Sequence, residues 1–169
     1  TGSATETLHG KAIIVATGSR PRSIPGFAVD ETSVLSSTGL LMSNHLPTSI
    51  VILGAGAIGM EFAFVLSSFG VAVTIVELMP QVLPLEDEET AKVVEKSFGS
   101  RGVTIHTAAK AEKVEKTGAG CAVHVVLKDG TASVIEAEQV LVSIGRAPNT
   151  ENIGLEGLGI KLNRGYVET

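Results

Sequence analysis

Apolar residues run along this chain in two rhythms, and the change between them predicts how it folds. The first rhythm is the solid run. Ala12–Ala16 within Lys11–Thr17, Ile50–Leu53 and Val71–Val76 each read as a strand buried on both faces, as strands of a parallel sheet are. Between the last two, Ile58, Phe62, Leu66 and Phe69 recur at spacings of four, four and three, which predicts a helix with one apolar face. Gly70 follows where a left-handed cap is wanted. A short helix is expected around Ser37–Met42, and Pro47 leads into the strand at Ile50. Beyond Val76 the chain is broken by Pro80 and Pro84. Asp87, Glu88 and Glu89 then suit the positive end of another helix, whose stripe is Ala91, Val94 and Phe98. Gly99 and Gly102 are expected to end it, and Val103–His106 to form the next strand.

The second rhythm is alternation. Ala108–Thr117, Cys121–Leu127 and Ala132–Ala137 are short, partly alternating segments, separated by Gly118-Ala119-Gly120 and by Asp129-Gly130, a hairpin signal. Val140–Ile144 is a solid run again and halts at Gly145. The fold class expected is α/β: a Rossmann-like parallel sheet with helices on its faces and a three-stranded antiparallel β-meander serving as a crossover.

Composition narrows the function more than the fold. The 169 residues carry a net charge of −5 and 44% apolar residues, enough chain to bury about two-thirds of its unfolded surface. Without a basic cluster, nucleic acid is not an expected partner. Nor does the sequence hold an apolar run long enough to span a membrane, or a signal-peptide pattern, so a cytoplasmic protein is expected. The single cysteine, Cys121, excludes an intramolecular disulfide and reads as a buried thiol. His9, His45, His106 and His124 have no metal-ligand spacing, so no metal site is expected.

The chemistry concentrates between Ile50 and Glu77. The strand feeds Gly54-Ala55-Gly56-Ala57-Ile58-Gly59, a Gly-x-Gly-x-x-Gly turn opening a helix. In a dinucleotide site the first glycine makes the tight turn, the second lets pyrophosphate approach the backbone and the third lets helix and strand pack closely. The helix N-terminus adds free N–H groups and a positive dipole end. Glu77 closes the next strand eighteen residues beyond Gly59, the expected place for an acid that accepts from the adenosine ribose hydroxyls. A carboxylate there repels a 2′-phosphate by about 4 kcal/mol at about 4 Å and an effective dielectric of about 20. Leu78, Met79 and Pro80 supply no cation to offset this, so NAD(H) is favoured over NADP(H). There is also an echo: Ile14–Pro21 and Leu141–Pro148 are both apolar strings that halt at a glycine and continue through an arginine and a proline.

Ala16-Thr17-Gly18-Ser19-Arg20-Pro21, the stretch Gly54–Ala63 and Ile144-Gly145-Arg146-Ala147-Pro148-Asn149-Thr150 together resemble, in this order, the pyridine nucleotide–disulfide oxidoreductases. The likeness runs from about Leu8 onward and is nearest to their dihydrolipoamide dehydrogenase branch. It implies a flavoprotein passing electrons between dihydrolipoamide, a redox disulfide, FAD and NAD. Carried onto this sequence, Gly54, Ala55, Gly56, Ala57, Ile58 and Gly59 would hold the NAD pyrophosphate and Glu77 the ribose. Ala111, where the family often has valine, would make a backbone contact near the adenine, and Gly145 would lie at the nicotinamide end. Thr17, Gly18 and Ser19 would lie at the margin of FAD. Glu61 has two readings. It is either a first-turn acid favoured by the helix dipole or, as the resemblance implies, a residue beside the flavin–nicotinamide contact. Ala57 stands where many relatives carry a larger side chain, so a gate over the nicotinamide pocket would be weak.

The resemblance also says what this sequence lacks: a glycine motif for FAD, a Cys-x-x-x-x-Cys redox pair and a His-Glu pair. No catalytic residue is therefore expected in this segment, which would be inactive alone. Residues 1–36 are expected to be a return strand and linker from an FAD domain, and 37–169 an NAD-binding domain. The partners implied are the FAD and interface domains of a parent chain, a second copy in a homodimer and a 2-oxo acid dehydrogenase complex. Alternatives are the NAD domain of a related NADH oxidase or mercuric reductase, or a stand-alone NAD-binding sensor module.

Overall fold

The computed structural model describes residues 6–168. Its strands are β1 (Ser19–Pro21), β2 (Val34–Ser36), β3 (Ser49–Leu53), β4 (Ala72–Val76), β5 (Thr104–His106), β6 (Lys110–Thr117), β7 (Gly120–Val126), β8 (Ala132–Ala137), β9 (Gln139–Val142), β10 (Arg146–Pro148), β11 (Leu162–Asn163) and β12 (Tyr166–Val167). The helices are α1 (Ser37–Met42), α2 (Ala57–Ser68) and α3 (Glu88–Ser100), with a 3-10 turn at Glu156–Leu158. The chain divides into two compact units. The larger is Pro21–Arg146, and the smaller joins the described residues up to Arg20 with those from Ala147 onward.

In the larger unit, β2, β9, β3, β4 and β5 lie in that order as a five-stranded sheet, every pair parallel, with β3 in the centre. Successive residues of a strand face opposite ways, and both faces here are dry. Ile50, Ile52, Val73, Ile75 and Leu141 pack on one side with Leu40 of α1, Met60, Ala63 and Leu66 of α2, and Ala91 and Phe98 of α3. Val51, Leu53, Val76, Val140 and Val142 pack on the other with Cys121, Val123 and Val125 of β7. All three helices thus feed one core, while the antiparallel sheet β6-β7-β8 covers the opposite face and carries the chain from β5 back to β9. Two turns fix this meander. Asp129 accepts the Thr131 N–H at 2.9 Å, and Gly120 lies so close to β8 that a Cβ would meet the Ala137 carbonyl oxygen at 2.4 Å.

Three expectations need correction. The buried face of α2 is Gly59, Met60, Ala63 and Leu66, with Phe62 partly buried and Phe69 exposed at the C-cap. The helix is apolar almost all round, so periodicity does not single out one face, and the small Gly59 and Ala63 let the helix approach the sheet most closely. Gly99 lies inside α3, and Arg101 caps it before Gly102 turns with φ 83°. Asp87, by contrast, caps the N-terminus as its position implies, accepting from the Glu89 and Thr90 N–H groups. The third correction is the run Ala12–Ala16, which is neither a strand nor buried: Ile13 is 83% and Ile14 90% exposed. A strand needs a hydrogen-bonded neighbour, and this run pairs with none among the described residues.

Residues 27–36 belong to the larger unit. Phe27 and Val34 are buried in the meander-side core, and β2 forms the edge of the parallel sheet. In the smaller unit Arg20 gathers the chain, donating to Glu151 at 2.7 and 3.0 Å and to Asn149 Oδ1 at 3.0 Å.

Candidate functional site

Register alone brings the site together. Leu53 of β3 stands level with Val76 of β4 and Val142 of β9, so the next residues, Gly54, Glu77 and Ser143, form a row beyond the carboxyl ends of three adjacent parallel strands. This is where open parallel sheets bind ligands.

The row is held by bonds between its members. Gly54 donates its N–H to the Val76 carbonyl at 2.9 Å and has φ +102°. A Cβ on Gly54 would meet the Ser143 carbonyl oxygen at 2.7 Å, so glycine is required twice over. Ser143 donates its N–H and its hydroxyl to the Leu53 carbonyl, both at 2.9 Å. Its hydroxyl also lies 3.2 Å from the Gly54 carbonyl oxygen.

Glu77 is 7% exposed. Its Oε2 accepts the Ala55 N–H at 2.6 Å and its Oε1 the Met79 N–H at 2.7 Å. Its own N–H donates to the His106 carbonyl, and its carbonyl accepts from Ala109, both at 2.9 Å.

From this row α2 departs. Its N-cap is Gly56, at φ −70° and ψ 178°, and no side chain caps the helix. Any residue can adopt that conformation, and a Cβ built there meets nothing within 4 Å. Gly59 is the opposite case, because its Cβ would sit 2.0 Å from the Gly54 carbonyl oxygen. The turn therefore contains two glycines demanded by the protein's own packing, and one, Gly56, that the protein's own atoms do not demand.

The row faces a cavity of about 680 Å3, which lies wholly within the larger unit. Of the residues singled out from the sequence, Gly54, Gly56, Ala57, Ile58, Glu77, Ala111 and Gly145 line it. Ala55 is fully buried beneath the turn and Gly59 is buried in α2, so neither is on the wall. Glu61 is exposed and also off the wall. As the fifth residue of α2 it lies beyond the first turn, which corrects its reading as a first-turn acid. Thr17, Gly18 and Ser19 belong to the smaller unit. There Asn149 donates its side-chain amide to the Thr17 carbonyl at 3.1 Å and its N–H to the Gly18 carbonyl at 2.9 Å.

Sequence reasoning missed several wall residues, among them Arg22, Leu78, Met79, Leu85, Lys110 and Ser143. Ser143 was within reach of strand register, being the residue after β9. Lys110 and Arg22 were not, since they enter from β6 and from the segment after β1, where no motif marks them. Cys121 is 1% exposed, its thiol pushed up by burial and by the Asp30 charge, and lies 3.7 Å from the Ser33 carbonyl oxygen. Among the described residues no three His, Cys, Asp or Glu side chains group as a metal site would need, and no helix is long and apolar enough to cross a membrane.

Comparison with known proteins gives a consistent answer. The family model for pyridine nucleotide-disulphide oxidoreductases matches residues 1–169. A dihydrolipoyl dehydrogenase from Rhizobium etli is 42% identical over 161 residues, covering 95% of this chain and 34% of that protein. One from Mycobacterium tuberculosis is 46% identical over 158 residues, covering 94% of this chain and again 34% of the relative. Among solved structures, LpdA from M. tuberculosis matches with TM-score 0.76 and 38% identity over 88% of this chain and 32% of that one. The HOCl-induced flavoprotein disulfide reductase RclA from Escherichia coli matches with TM-score 0.80 and 32% identity, covering 94% and 35%. The chain thus spans about a third of the length of the relatives it matches. Matched from end to end by one family model, with a glycine turn and a strand-end carboxylate sharing one cavity, it belongs to the pyridine nucleotide–disulphide oxidoreductases.

Proposed function

We propose that this chain is the NAD(H)-binding part of a flavoenzyme of the dihydrolipoyl dehydrogenase kind, which in its whole form converts dihydrolipoamide and NAD to lipoamide and NADH. The names of the relatives support the substrate, and the cavity supports the nucleotide. The observation that carries the reading is Gly56: its backbone angles are ordinary and a side chain there would strike no protein atom. Space kept empty beside an uncapped helix N-terminus suits a phosphate. The residues present fit a dinucleotide. Gly54–Gly59 would carry the pyrophosphate, and Glu77 would accept from the ribose hydroxyls. Ala111 would lie toward the adenine and Gly145 toward the nicotinamide. Glu77 favours NAD(H) over NADP(H), although Lys110 and Arg22 on the same wall reduce that margin.

Thr17, Gly18 and Ser19 would form the margin of an FAD site, and Glu61 would face the flavin side of the nicotinamide. Bound FAD would supply the two-electron relay between dithiol and nicotinamide. The boundary expected after residue 36 would move: the described residues up to Arg20 would return from the FAD domain, and β2 would belong with the nucleotide domain, Pro21–Arg146. The parent would be a cytoplasmic homodimer working within a 2-oxo acid dehydrogenase complex. This segment alone would be colourless and inactive, because it holds neither the FAD glycine motif nor a redox cysteine pair. The likeness to RclA supports a second reading, a flavoprotein reductase of another disulfide. Comparing lipoamide with other disulfides as substrates of the full-length protein separates the two.

The test of the nucleotide site is Gly56→Val. NADH binding is expected to be lost, while the melting temperature falls by no more than about 2–4 °C, the effect of about 1 kcal/mol at a helix cap. A variant that binds NADH normally removes the assignment.

A further inference from the structure

We propose that Glu77 is a positioning residue: its carboxylate clasps the glycine-rich turn to the end of β4 before any nucleotide arrives. Only the consequence for selectivity rests on the nucleotide reading above. The clasp itself rests on hydrogen bonds.

The two carboxylate oxygens are divided between two segments. Oε2 takes the Ala55 N–H of the turn at 2.6 Å, and Oε1 takes the Met79 N–H of the loop after β4 at 2.7 Å. These are short, charge-assisted bonds; the one to Ala55 is buried, Ala55 being fully buried and Glu77 7% exposed, and the one to Met79 is half-buried. The backbone of Glu77 is anchored at the same time to His106 and Ala109. One side chain therefore ties the glycine turn to the second strand, to its following loop and, through the main chain, to the entrance of β6. Ser143 does the matching work from β9, with its hydroxyl on the carbonyls of Leu53 and Gly54. The turn is held by a donor on one side and an acceptor on the other.

A carboxylate has about four acceptor positions, so the clasp uses one on each oxygen and leaves one on each for a diol. The same bonds prevent the carboxylate from rotating out of the way. A free acid could swing aside for a 2′-phosphate, whereas this one must break two short bonds to do so, one buried and one half-buried. Rejection of NADPH and order in the turn are then a single property, and removing the charge should weaken both nucleotides rather than exchange one for the other.

The experiment is residue-resolved amide hydrogen exchange on the full-length, nucleotide-free protein, with NADH and NADPH affinities measured on the same preparations. In Glu77→Ala, exchange at Ala55 and Met79 should rise at least about tenfold. The amides of Gly54 and Ser143, which donate to carbonyls of neighbouring strands, should hold their rates. In Glu77→Gln only one of the two amides should be released, because an amide side chain offers one carbonyl. Affinity for NADH and NADPH should fall together in both variants. If Glu77→Ala does not fold, the asymmetry in Glu77→Gln decides. Unchanged exchange at both amides in a folded variant overturns the clasp, whatever happens to NADH. Raised exchange with undiminished NADH affinity leaves the clasp standing and sinks the nucleotide assignment instead. A selective gain for NADPH, with NADH little changed, contradicts the rigid-carboxylate argument.

Discussion

Ile50–Leu53 and Ala12–Ala16 are nearly the same string of letters with opposite fates. The first is the central strand, with exposures of 0% for Ile50, Val51 and Ile52 and 2% for Leu53. The second lies outside any sheet, with Ile13 and Ile14 almost as open to water as side chains can be. Composition does not separate them. β3 has β4 on one side and β9 on the other, and a closed core on each face, so its alternate side chains divide between helices and meander. The run at Ala12 has no pairing strand among the described residues. Leaving an isoleucine exposed forgoes about 1.5–3 kcal/mol of burial, so the run carries unrealised stabilisation, which the proposed FAD domain would supply.

The largest test of this contrast is a matched pair of substitutions in this chain expressed alone. Ile52→Asp puts an unpaired charge at a fully buried position and should cost on the order of 5 kcal/mol, enough to abolish a cooperative thermal transition. Ile14→Asp should change stability by no more than about 0.5 kcal/mol. A clear loss of melting temperature in Ile14→Asp would mean the run packs against something after all.

A smaller effect sharpens the same contrast inside the glycine turn. Gly59→Ala places a methyl 2.0 Å from the Gly54 carbonyl oxygen, where neither backbone can yield without parting α2 from β3. The expected loss is about 1–3 kcal/mol, read as a lower denaturant midpoint. Gly56→Val, which adds three carbons in the same motif, should cost less stability than this one carbon. Reversal of that order would mean that the openness around Gly56 is not what distinguishes the two glycines.

The sequence made β3, α2, β4, the start of α3 and the meander legible because each carries its own boundary markers, as at Gly54, Gly70, Asp87 and Asp129. The glycine turn and Glu77 were legible because spacing in sequence becomes adjacency once two parallel strands are in register. What could not be read had non-local causes. The inward face of α2 depends on how close Gly59 and Ala63 let it come to the sheet. Lys110 and Arg22 reach the cavity from segments whose approach depends on the whole meander. The outcome at Ala12–Ala16 turns on a partner rather than on the run itself.

The last and smallest effect concerns the other end of β3. Glu138, just before β9, accepts from the Thr48 N–H and hydroxyl, both at 2.8 Å, and is hydrogen bonded to His45, so the heads of β3 and β9 are tied. The Thr48 N–H first, then His45 and the Thr48 hydroxyl, hold this carboxyl well below its ordinary 4.5, at about 2. As pH falls from about 4.5 toward about 2, the unfolded chain binds a proton that the folded chain refuses, and stability drops. Above that window the tie is fully present, and below it the tie is lost. Glu138 is solvent-accessible, so the contribution is screened and small. Glu138→Gln should melt slightly below the parent chain at neutral pH, and the gap should close as pH falls through the window. Asp30, Glu115, Asp129 and Glu151 also have lowered values, but they are common to both proteins and cancel in the difference. A gap that stays constant from neutral pH down to about 2 would show that Glu138 supports β3 through shape rather than charge.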